Sequence, residues 1–141
     1  MNGYLEELDK TGNSLMIYSH GQLIFQSTSK GIRPHLEAID AHGDGLRGTL
    51  MVDKIVGRAA ALLILYSDAA EAHAQVLSRP GKQVLDMHGL PTSYVTLTDH
   101  IKLEDGSIYC PFERMVQGVT DPVEAYAAIV EKMRSLTASS S

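Results

Sequence analysis

The spacing of apolar positions changes several times along the chain, and each change marks the edge of an element. Tyr4 to Leu8 has the spacing of a short helix, which Thr11-Gly12-Asn13 breaks before Ser14-Leu-Met-Ile-Tyr18 runs on as a strand. His20-Gly21 separates that run from Leu23-Ile24-Phe25, predicting an antiparallel hairpin, because glycine supplies the positive φ that two-residue loops require. From Ser29 the period lengthens to that of a helix. Lys30-Gly31 leads in, Pro34 falls in the first turn, Ile32, Leu36 and Ile39 share one face, and His42-Gly43-Asp44-Gly45 ends it.

Leu50-Met51-Val52 is a short apolar strand with Asp53 at its end, and the segment from Lys54 to Tyr66 follows as a helix. Ile55, Val56 and Ala59 to Leu65 make that helix apolar nearly all round, so it is expected at the centre of the fold. Ala72 to Leu77 is the next strand, Pro80 to His88 a helix closed by Gly89, and Ser93 to Leu97 a further strand. Strand and helix alternating in this way predict a mainly parallel sheet with helices on both faces. Asp105-Gly106 then marks a turn before Ile108-Tyr109-Cys110, and Pro111 opens a short helix that Gly118 ends. In the last helix Asp121 is the N-cap, Pro122 the first helical residue and Glu124 the capping-box partner. Val123, Tyr126, Ile129, Val130 and Met133 form its apolar stripe, and the polar stretch 137–141 is expected as a flexible tail behind a single domain, 1–136.

Composition adds mostly exclusions. The 141 residues are 44% hydrophobic and 21% charged, as in an ordinary folded domain, with neither a disordered nor a disulfide-scaffold profile. A formal charge of −5 argues against non-specific binding to nucleic acid or anionic membranes. The longest apolar run, Ala59 to Tyr66, falls far short of the roughly 20 residues that cross a bilayer. A single cysteine and an acidic opening, MNGYLEEL, set the expectation of a cytoplasmic protein.

The order helix, antiparallel hairpin, helix, strand, helix, strand, helix, strand resembles the cytidine-deaminase-like fold. Three phrases, Lys30-Gly-Ile-Arg-Pro34, Val52-Asp-Lys-Ile-Val-Gly-Arg-Ala-Ala-Ala-Leu62 and Ile108-Tyr-Cys-Pro-Phe-Glu-Arg114, resemble a family of small uncharacterised bacterial proteins known only as a domain of unknown function. The resemblance covers nearly the whole chain. It implies a three-layer α-β-α sandwich with a five-stranded mixed sheet and an N-terminal antiparallel hairpin, and no activity. Zinc deaminases need a His or Cys and two further Cys as ligands, with a Glu beside the first. Neither helix opening, Ser29 to Pro34 nor Asp53 to Gly57, carries His-x-Glu or Cys-x-x-Cys, and one cysteine cannot supply the set. The expectation is no zinc, no other cofactor and no hydrolytic deamination by the usual route.

With that alignment of elements, the pocket survives as a cleft at the C-terminal ends of the strands, rimmed by two helix N-termini that favour an anion. Lys30, Gly31, Lys54 and Gly57 fit a phosphate-bearing ligand there, a nucleotide or nucleotide sugar; read blandly, the glycines serve packing and the lysines are solvated. Asp53 is assigned the N-cap of the central helix, with general base or ribose-hydroxyl acceptor as the other role. Arg58, in an apolar helix, needs a carboxylate or carbonyl partner: an ion pair with Glu113 or Asp53, or a ligand phosphate. Cys110 precedes Pro111, where a helix dipole lowers a thiol pKa, so it is either a nucleophile for group transfer or a small buried hydrophobe. Glu113 stands in capping-box register to the Cys110 backbone. Of the six histidines, His35 and His88 fall on helices and His20 and His42 beside turns, with no spacing that selects a partner for the thiol. The reading is a zinc-less ligand-binding domain; the alternatives are an enzyme acting through Cys110 and a homodimeric interaction protein.

Overall fold

The hairpin forms where the sequence places it. In the computed structural model, which describes residues 2–101 and 111–139, β1 (Leu15–Ser19) and β2 (Gln22–Ser27) run antiparallel. His20 and Gly21 turn the chain between them at φ 51° and 80°, the paired positive values that a two-residue loop needs to match the strands' twist. β1 then pairs antiparallel with β3 (Leu50–Val56), which pairs parallel with β4 (Glu71–Ser78), and that with β5 (Thr92–Thr98). The order is β2-β1-β3-β4-β5, a mixed five-stranded sheet in which antiparallel and parallel pairings are equal in number, rather than a mainly parallel one.

Helices cover both faces. α1 (Gly3–Thr11) lies on one, where Leu5 and Leu8 pack with Met16 and Val52 in a small core of their own. On the other lie α2 (Arg33–His42), α3 (Arg58–Tyr66) and α4 (Arg79–Met87), with α5 (Pro111–Met115) and α6 (Pro122–Ser139) touching α3. The result is a three-layer α/β/α fold. α3 is the central helix its sequence predicts: every residue from Arg58 to Ile64 is buried. Leu62, Leu63 and Ile64 are fully enclosed, each stabilising the fold by about 1.5–3 kcal/mol through removal of apolar surface from water.

Two boundaries and one packing face differ from expectation. α3 begins at Arg58 rather than Lys54, because Ile55 and Val56 continue β3 by pairing with Val76 and Leu77, and β-branched side chains suit a pleated surface. α6 continues to Ser139, past the boundary expected at 136. Val123, expected in the apolar stripe of α6, is 65% exposed; Ala125 and Ile129 are buried in its place, and Tyr126 stacks on Tyr66 with ring centroids 4.0 Å apart.

Candidate functional site

Because β1 pairs antiparallel with both β2 and β3, β2 runs the same way as β3 and β4, and the starts of α2, α3 and α4 come to one end of the sheet. Ser14 ties two of the lysine-bearing segments together there: its Oγ donates to the Ser29 carbonyl at 2.6 Å, and the Lys54 N–H donates to the Ser14 carbonyl at 2.9 Å. Lys30 and Lys54 are both exposed. Gly31 has φ +67°, a left-handed conformation that L side chains rarely adopt. Lys30, Gly31, Lys54 and Gly57 thus share this end of the sheet.

What occupies the α3 N-terminus is a side chain of the protein itself. Glu113, on α5, accepts from the Arg58 N–H through Oε2 at 3.0 Å and from the Ala59 N–H through Oε1 at 2.8 Å. It satisfies two of the donors that the first turn of a helix leaves unpaired. Gly57, the N-cap residue, supplies no side-chain cap of its own. A Cβ at Gly57 would meet Glu113 Oε1 at 2.4 Å and its Cδ at 2.8 Å, so the carboxylate needs glycine there. Gly81 makes room in the same way, since a Cβ on it would lie 3.0 Å from the Gly57 carbonyl. Burial pushes the Glu113 carboxyl above its ordinary value, against the opposing pull of the Ala59 and Arg58 N–H groups and the Arg58 charge.

The Arg58 side chain turns away from that carboxylate. Only 5% exposed, its guanidinium donates to the carbonyls of Val116 and Val119, to the Pro80 carbonyl and to Gln83 Oε1, at 2.6–3.3 Å. The expected ion pair with Glu113 or Asp53 is therefore replaced by a clamp of carbonyl and amide oxygens from the protein itself. Five donors in a fixed plane match several diverging carbonyls, which a carboxylate would not require. Arg58 locks the turn after α5 onto α3 and α4, and so holds Glu113 in place.

Asp53 is not the N-cap of α3. It lies within β3, opposite Leu15 and Ala74, and its Oδ2 is 2.6 Å from Nε2 of His35 on α2, with His35 1% and Asp53 5% exposed. Because β3 runs on to Val56, the position before the helix passes to Gly57. His35 Nδ1 is buried without a hydrogen-bond partner. His35-Leu36-Glu37, immediately after the opening Ser29 to Pro34, does have the His-x-Glu spacing. Its two members diverge: His35 turns inward to Asp53, while the exposed Glu37 accepts from the Ser27 and Ser29 hydroxyls at 2.9 and 3.3 Å. A histidine in the first turn of α2 and an aspartate amid an apolar strand were the signals for this buried pair.

Cys110 lies outside the described residues, and so does the expected Glu113 bond to its backbone. Among the described residues, no group of three or more His, Cys, Asp or Glu side chains converges as a metal site, and no helix is long and apolar enough to cross a membrane. A groove of about 620 Å³ runs beside β2, lined by Thr11, Asn13, Phe25, Gln26, Ser27, Thr28 and Glu37, none of them in α3.

A three-layer α/β/α domain whose central helix is capped by a carboxylate from a later segment is the class these observations define. The chain belongs to the DUF1893 family, a domain of unknown function, whose sequence model matches residues 4–133. It is similar to the crystal structure of a DUF1893 family protein, TM1506, from Thermotoga maritima, with 32% identity over 94% of this chain and 92% of that one and a TM-score of 0.83. No curated protein matches the chain. The resemblance drawn from the Lys-Gly-Ile-Arg-Pro, Asp-Lys-Ile-Val-Gly and Cys-Pro-Phe-Glu phrases is therefore correct at the level of the family.

Proposed function

We propose that this domain is a zinc-less, cytidine-deaminase-like module that binds a small phosphate-bearing ligand, a nucleotide or nucleotide sugar, at the end of the sheet bearing Lys30, Gly31, Lys54 and Gly57. The observation that supports the reading is the seat of Glu113: two backbone N–H groups at the α3 N-terminus hold an anion over a glycine. A phosphate carries more charge and more acceptor oxygens than a carboxylate, and Lys54 adds a cation three residues before Gly57. In this reading Glu113 is the resident anion, and ligand entry displaces it from the Arg58 and Ala59 N–H groups. The inward turn of His35 and the outward turn of Glu37 fit a site that has given up metal-assisted proton transfer.

The test is calorimetric titration and thermal shift with ADP, UDP-glucose and inorganic phosphate on the wild type, Lys54→Ala and Glu113→Gln. A ligand at a hundred times its Kd is expected to stabilise the native state by about 2.7 kcal/mol. Lys54→Ala should weaken binding with the melting temperature of the free protein unchanged, and Glu113→Gln should tighten it by removing the competing charge. The absence of any shift in wild type and Glu113→Gln at millimolar ligand would overturn the reading.

A further inference from the structure

At the other end of the parallel strands, on the face covered by α1, three side chains stand in a row. Glu71 and His73 are two residues apart on β4, so they project from the same face, and Ser93 on β5 is the register partner of His73. Glu71 Oε2 is 2.7 Å from His73 Nε2, and Ser93 Oγ is 2.5 Å from His73 Nδ1. A carboxylate accepts and does not donate, so the Glu71 contact places the imidazole hydrogen on Nε2 and leaves the Nδ1 lone pair facing the serine hydroxyl. Hydroxyl, imidazole and carboxylate in that order are the parts of an activated nucleophile.

A fourth residue completes the arrangement. Asn2 caps α1, its Oδ1 accepting from the Leu5 N–H at 2.9 Å. That bond fixes which end of the amide faces inward: Nδ2 lies 2.9 Å from His73 Nδ1 and 3.3 Å from Ser93 Oγ. An N–H is thereby held 3.3 Å from the serine oxygen, within reach of the carbonyl oxygen on which charge develops when the serine attacks. The Tyr4 ring, with its centroid 5.4 Å from that of His73, walls one side. The row lies at the sheet margin: the Glu71 side chain is 44% exposed, and that of His73 14%.

We propose that Ser93, His73 and Glu71 form a nucleophile, base and orienting carboxylate that accept a short acyl group from a small carboxylic ester. Ser93 Oγ bonds to the ester carbonyl carbon while its proton passes to His73 Nδ1, and the Asn2 N–H, released from Nδ1 as that nitrogen takes the proton, donates to the oxyanion. The carbon–oxygen bond to the alcohol breaks, and His73 returns the proton to the leaving alkoxide. Water then attacks the acyl-serine, its proton passing to His73 and on to Ser93 Oγ as the carboxylic acid departs. Ser93, His73 and Asn2 touch the reacting atoms, whereas Glu71 is a positioning residue.

The experiment treats the full chain with a fluorophosphonate probe and with p-nitrophenyl acetate, following intact mass, released nitrophenolate and the labelled peptide. One adduct on Ser93 is expected, lost in Ser93→Ala and formed about a hundredfold more slowly or worse in His73→Gln. Glu71→Gln should slow it and change its pH profile, with Glu71→Asp restoring part of the rate. Circular dichroism checks each variant, and if Ser93→Ala does not fold, the position of the wild-type adduct decides alone. No adduct on the wild type, an adduct elsewhere, or a Ser93 adduct whose rate ignores His73→Gln would overturn the proposal and leave the row as a polar tie between α1 and the sheet.

Discussion

Two glutamates at opposite ends of the same sheet show how burial divides structural from chemical work. Glu113 is drawn down onto the α3 N-terminus, where its two oxygens meet two backbone N–H groups and a glycine clears the space above them. Glu71 stands half in solvent and meets an imidazole, whose other nitrogen meets a hydroxyl. The first carboxylate ends a chain of fixed backbone donors, so moving it disturbs the packing of α3, α4 and α5 together. The second begins a chain of side chains along which a proton can travel, so moving it alters an arrangement that the core does not need. Stability measurements should therefore respond at one end and reactivity at the other.

The sharpest way to break that comparison is at Arg58. Its guanidinium serves the carbonyls of Val116, Val119 and Pro80, and Arg58→Met fills much of the volume while leaving those acceptors without their donor. Each buried group so stranded costs about 1–3 kcal/mol, and the expected loss is about 3 kcal/mol or more in urea unfolding. Fluorophosphonate labelling of Ser93 by the folded fraction should be unchanged. A loss below about 0.5 kcal/mol, the range of ordinary surface substitutions, would mean the clamp does not hold α5 to the body.

Next in size is Gly57→Ala. The methyl would meet a carboxylate oxygen at 2.4 Å, which must leave the Arg58 and Ala59 N–H groups to relieve the clash. Overpacking of this kind costs about 1–3 kcal/mol. Adding Glu113→Ala to Gly57→Ala should cost much less than it does alone, because the seat is already lost. Additive losses in that double-mutant cycle would place the strain elsewhere.

How much of this was legible in the sequence follows the same division. The hairpin, the all-apolar α3 and the Asp121 cap, whose Oδ1 accepts from the Val123 N–H at 3.1 Å, depend on neighbours in the chain. Local spacing therefore carried them. Glu113 and the α3 N-terminus are 55 positions apart, and although the need of Arg58 for a partner pointed to Glu113, it pointed to the guanidinium and not to the backbone N–H groups that the carboxylate meets. Asp53 was misplaced because Lys54 to Val56 permit either state locally, and pairing with β4 decides for the strand. The Glu71-His73-Ser93 row was invisible for another reason: it needs the register of β4 on β5, in which a shift by one residue would send Ser93 to the other face.

The finest distinction between the two ends is in pH. Burial raises the Glu113 carboxyl above 4.5, outweighing the hydrogen bonds and the arginine charge that lower it. A carboxyl raised in this way binds its proton more tightly in the native chain than in the unfolded one. Its contribution to stability is fully present below the unfolded value and is lost as pH climbs through the raised native value, the reverse of an ordinary paired carboxylate. Glutamine cannot titrate, so urea midpoints of the wild type and Glu113→Gln, compared from about pH 4 upward, isolate this one group. The difference should move against the wild type as pH rises. If it instead moved in favour of the wild type, the two N–H groups and Arg58 would outweigh burial, and the α3 N-terminus would hold its anion too firmly for a phosphate to displace it.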